Sequence, residues 1–91
     1  ATIVLARPHS LGLAGARQTA EQVAARLRDE FGVTTRWEGD AIHVEGRGVR
    51  GRLEAGPHEV RVEATLGLAA RPFRRLLRRE IERELDRLVP A

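Results

Sequence analysis

The sequence predicts a two-layer α+β fold of order β-α-β-β-β-β-α, with two helices packed on one face of an antiparallel sheet. Three observations carry that expectation. Two long stretches repeat apolar residues every three or four positions, and between them the period falls to two. The breaks in that middle region ("EGD", "GRG", "AGPH") are short and built on glycine, which suits hairpins better than crossovers. Ninety-one residues leave no room for a second core, so residues 1–91 read as a single domain.

Residues 2–7 read as the first strand. From Leu11 to Phe31 the apolar positions Leu13, Ala16, Ala20, Val23, Ala24, Leu27 and Phe31 form one helical stripe, flanked by Arg17, Glu21 and Arg28. Gly32 follows the last apolar position, where a left-handed C-cap belongs. At the other end Ser10, the only serine, reads as the N-cap, and Gly12 as a residue that lets the first turn approach a neighbour closely.

Four strands follow. Val33, Thr35 and Trp37, then Ile42 and Val44, then Val49, Gly51 and Leu53, then Val60, Val62 and Ala64 mark one face. Charged residues occupy the other, where Arg36, Arg50, Arg52 and Arg61 stand against Glu38, Glu45, Glu54, Glu59 and Glu63. The last segment is a helix with Pro72 in its first turn, a stripe of Phe73, Leu77, Ile81, Leu85 and Leu88, and Pro90 as its stop. The first strand is expected to pair with the fifth, with a right-handed return through the first helix.

Absent residue types narrow the chemistry. Without cysteine there is no thiol nucleophile, disulfide or thiolate metal site, and without lysine or tyrosine no Schiff base or phenolic acid. His9 and Ser10 are sequence neighbours without an evident orienting carboxylate, so a cap outweighs a catalytic pair, and anion binding at the N–H groups beside His9 is the milder alternative. His9, His43 and His58 lack metal-ligand spacing. No cofactor is expected. All 16 basic residues are arginine, which reads as coding bias and discounts any single arginine cluster. A net charge of +3, five acids against four arginines on the charged sheet face and no aromatic there argue against nucleic acid. No apolar run reaches the roughly 20 residues of a membrane span, and no signal peptide is evident, so a cytoplasmic location is expected.

The charge surplus sits in the last helix. Residues 71–87 hold seven arginines and four acids. Arg71, Arg74, Arg75, Arg78 and Arg79 share one arc beside the apolar stripe and form the candidate contact for phosphate, an anionic surface or a partner's acids. Acids crowd the later turns, opposite to the preference of the helix dipole. Leu68, Ala69 and Ala70, in the connection before this helix, form a candidate apolar contact beside the arc.

The runs "HSLGLAGAR", "WEGD", "GVRGRLEA", "LGLAARPF" and "IERELDRL", in that order along nearly the whole chain, closely resemble the polyhydroxyalkanoic acid system protein family. The resemblance implies a small bacterial protein grouped with the synthesis and use of storage polyester and suspected of associating with the granule. It carries over no catalytic residue. The leading expectation is therefore a non-enzymatic accessory protein, at the granule surface or bound to granule proteins. Two others stand beside it: a small-ligand or acyl-chain binding domain of helix-grip type, betrayed by a sizeable cavity, and an oligomerising or regulatory partner-binding module.

Overall fold

A computed structural model describes residues 2–89. The elements are β1 (Thr2–Pro8), α1 (Gly12–Phe31), β2 (Thr34–Glu38), β3 (Ala41–Gly46), β4 (Val49–Ala55), β5 (Glu59–Leu66), a 3-10 segment (Leu68–Phe73) and α2 (Arg74–Leu88). The sheet order is β1-β5-β4-β3-β2 with every neighbouring pair antiparallel. β1 does pair with β5. It follows that β1 and β2 run parallel at opposite edges, so α1 must carry the chain across the whole sheet.

Tight turns set the meander. The β3–β4 loop consists of Arg47 and Gly48 between the paired residues Gly46 and Val49. Both adopt positive φ, 56° and 79°, as a type I′ hairpin requires. Alternation then sorts the side chains. Ile3, Ile42, Val44, Leu53, Val60, Val62, Ala64 and Leu66 are buried under the helices. On the opposite face Arg52 stands across from Glu63, Glu45 from Arg50 and Glu54 from Arg61, while the ion pairs formed run along the strands, Arg52 to Glu54 at 3.6 Å and Arg61 to Glu63 at 2.9 Å.

α1 presents Ala16, Thr19, Ala20, Val23, Ala24 and Leu27 to the core. Three alanines let its backbone sit close to the sheet. Thr19 joins them because its hydroxyl donates to the Gly15 carbonyl at 3.0 Å, so burial leaves no unmet donor. Leu13, expected in the stripe, is 41% exposed, and burial of α1 begins only at Ala16. α2 buries Leu77, Ile81 and Leu85. Each such side chain contributes about 1.5–3 kcal/mol relative to exposure.

The helix ends separate one expectation from two corrections. Gly32 closes α1 at φ 67°, its N–H donating to the Arg28 carbonyl at 3.0 Å. Ser10 does not cap α1: Leu11 holds the N-cap position, and no side chain makes a cap hydrogen bond there. His9 serves the first turn instead. Its Nδ1 accepts the Leu11 N–H at 3.0 Å, and its Nε2 lies 3.0 Å from the Gly56 carbonyl, the tautomer with the proton on Nε2 satisfying both. Gly12 permits no close approach, since a Cβ there would meet nothing within 4 Å; it is needed for its φ of 72°.

The interior is full. The void between sheet and helices, lined by residues including Leu27, Val44, Gly51, Leu53, Val62, Leu77 and Ile81, measures about 10 Å³. That is at the lower limit for one water and far below an acyl chain. The helix-grip ligand reading is overturned on this ground, because apolar side chains occupy the space a ligand would need.

Candidate functional site

α2 divides into two halves of different character. In the later half the charges are committed. Glu80 and Glu84 are buried, 8% and 7% exposed, in the cleft against α1. Arg26 of α1 donates to Glu80 at 3.1 Å, and Arg87 holds Glu84 at 2.9 Å. Arg7 of β1 pairs with Asp86. Arg26 Nε is buried without a hydrogen-bond partner, and the guanidinium is compensated by Glu80 together with Glu30 at 3.6 Å.

The early half is different. Arg71, Arg75 and Arg79 are exposed and Arg74 is half-buried. None of the four has a carboxylate partner among the described residues. Arg78 alone of the predicted arc is paired, donating to Glu82 at 2.9 Å. Beside them Leu68 is 80% exposed, Phe73 54% and Leu76 44%. Ala69 is exposed as expected, but Ala70 is buried at 4%. The 3-10 segment is the physical reason: three residues per turn bring Leu68 and Arg71 to one side and send Ala70 inward, where it packs against the β3–β4 turn at Gly48.

Phe73 and Leu76 are the residues that sequence reasoning missed. The apolar spacing predicts Phe73 in the buried stripe, yet Pro72 lies inside the 3-10 segment and α2 begins only at Arg74. Leu76 carried a usable signal, since it lies about 100° around the helix from Leu77. The structure therefore brings together four predicted arginines, Leu68 and Ala69, adds Phe73 and Leu76, and removes Ala70. A shallow groove of about 300 Å³ opens beside them, lined by Phe31, Arg47, Val49, Leu66, Phe73 and Leu77 among others.

The alternative sites are structural. With one His9 nitrogen accepting from Leu11 and the other at the Gly56 carbonyl, the ring cannot act as a base toward Ser10. The Leu11 N–H is likewise spent on His9, so it is not free for an anion. On α1, Arg17 stacks on Trp37 at 4.2 Å and bonds Asp40 at 2.7 Å, while Trp37 donates to Glu21 at 2.9 Å. Arg28 donates to Glu21 at 2.7 Å and, with help from Trp37, holds the Glu21 carboxyl below its ordinary pKa. These contacts fasten α1 to the β2–β3 hairpin. Among the described residues no group of three His, Cys, Asp or Glu could hold a metal, and no helix is long and apolar enough to cross a membrane.

What fold and surface define is a small two-layer α+β protein whose distinctive side chains lie on one end of its surface. A family model described as "Putative polyhydroxyalkanoic acid system protein" matches residues 3–89, and the chain belongs to that family. No curated protein and no solved structure matches it.

Proposed function

We propose that this protein is a non-enzymatic accessory of the polyhydroxyalkanoate system that meets the storage granule with the end built by the 3-10 segment and the start of α2. The observation that supports this reading is the pairing of exposed Leu68, Phe73 and Leu76 with uncompensated Arg71, Arg75 and Arg79. Apolar side chains ringed by cations suit an apolar surface carrying anionic groups: the leucines leave water while the guanidiniums stay at the charged rim. The patch is small, so binding is weak and salt-sensitive. Its location is the granule surface, not the granule interior.

Co-sedimentation of the purified protein with native granules tests it. Leu68→Asp with Leu76→Asp abolishes sedimentation, and Arg71→Glu with Arg79→Glu reduces it about tenfold or more at low salt. Wild-type sedimentation that neither double variant alters would sink this contact.

A further inference from the structure

The two sheet edges are defended very differently. β2 is five residues long, carries Arg36 and Glu38 on its outer face, and is fastened to α1 through Trp37. β1 is seven residues long, and its outer face consists of Thr2, Val4, Ala6 and Pro8, all exposed and none charged. Its one charge, Arg7, points to the helix side and is taken by Asp86. A long edge strand without an outward charge is a template for another strand.

The hydrogen-bond phase of β1 is known. The β1–β5 register continues to His9 opposite His58, and His9 donates its N–H to the His58 carbonyl at 3.0 Å. Hydrogen-bonded pairs alternate along an antiparallel ladder, so Ile3, Leu5 and Arg7 also bond β5. The N–H and C=O groups of Val4 and Ala6 therefore point away from the sheet. Among the described residues no strand receives them.

α2 indicates which strand fits. Asp86 reaches Arg7 and thereby marks the side of α2 that overhangs the β1 edge. Arg75, Arg78, Glu82 and Asp86 are spaced three, four and four apart, which places them on that side in one row. The row is basic at its start and acidic at its end, the reverse of what the helix dipole favours. A second helix running antiparallel alongside would set each basic half against an acidic half.

We propose that two copies of this chain pair antiparallel through β1, with Val4 on the two-fold axis, forming one ten-stranded sheet with the two α2 helices side by side. The symmetry is isologous, so one patch serves both partners. With Val4 opposite Val4 of the second copy, Ala6 bonds Thr2 of the other chain, and Pro8, which lacks an N–H, falls outside the ladder. The same register sets Arg78 near the second copy's Glu82, and Arg75 near its Asp86. The inference uses neither Leu68 nor Leu76 and shares only Arg75 with the granule contact, so it does not rest on the granule reading.

Sedimentation equilibrium without granules tests it. The wild type has twice the single-chain mass of 10.1 kDa at micromolar concentration, and the dimer weakens as salt rises. Ala6→Pro removes two edge N–H groups per dimer and raises the dissociation constant about tenfold or more, with an unchanged circular dichroism spectrum. Val4→Cys, the only thiol in a chain without cysteine, oxidises to a covalent dimer across the axis. A monomeric wild type overturns the inference. So does a dimer that Ala6→Pro leaves intact and Val4→Cys fails to cross-link.

Discussion

The two halves of α2 are written in the same few residue types and do opposite things. In the later half, Glu80, Glu84 and Asp86 each meet an arginine, and Ile81 and Leu85 are sealed in the core. In the early half, arginines without partners and the half-exposed Leu76 face outward. The halves differ in net charge, basic first and acidic later, but pairing and burial decide which of those charges are already spent. A paired, buried charge is part of the scaffold, whereas an unpaired, exposed one costs little to change and is free to meet something else.

The widest gap lies between the apolar residues. Leu85→Ala costs about 2–5 kcal/mol by leaving a cavity in a full core, while Leu76→Ala costs under about 0.5 kcal/mol. Urea denaturation of both variants measures the difference, and equal losses would erase the distinction.

Charges give the next largest effect. Glu80→Ala removes the carboxylate hydrogen-bonded to Arg26, leaves it Glu30 at 3.6 Å, and lowers the melting temperature more than loss of an unpaired arginine. Arg79→Ala, in the outward half, stays within about 0.5 kcal/mol. Thermal melts of the two variants rank them.

The same contrast extends to α1 through pH. Glu21 has a lower pKa folded than unfolded, so the folded state binds fewer protons as the carboxyl titrates. Its contribution is full above the unfolded value and fades as pH falls below about 4. Both partners are half-exposed, which limits the effect to under about 1 kcal/mol. Glu21→Gln should therefore flatten part of the acid limb of stability against pH, and an unchanged limb would remove Glu21 from the fastening.

The smallest effect has the opposite sign. Arg75 lies in the first turn of α2, where the helix dipole disfavours a cation. Arg75→Glu stabilises the isolated protomer by about 0.3–1 kcal/mol. Because the proposed dimer uses Arg75, the melt is read on the Ala6→Pro background.

Much of this was legible in the chain. The period-two faces and the glycine turns follow from which side chains must leave water and which loops are too short for crossovers, and the β1–β5 pairing from the return expected through α1. The arginine arc was legible as a cluster, though not that Arg78 alone of it bonds a carboxylate, Glu82. What misled were residues whose role depends on a partner distant in sequence. Ser10 fits the pattern of a cap, but His9 takes the Leu11 N–H because Gly56, 47 residues on, holds the ring in place. Ala70 and Phe73 exchanged expected roles because Pro72 and the β3–β4 turn impose a 3-10 segment before α2 can start.

The sequence by itself determined the element order, the face that each strand and helix buries, and the reversed charge gradient of α2. Local periodicity encodes these, and the hydrophobic effect reads it without regard to distant detail. Only the tertiary structure decided which charges are neutralised and that the core holds no ligand-sized space. Only it showed that β1 presents an uncharged open edge beneath that gradient. Each depends on which elements become neighbours, and neighbours in space are set by packing across the whole sheet.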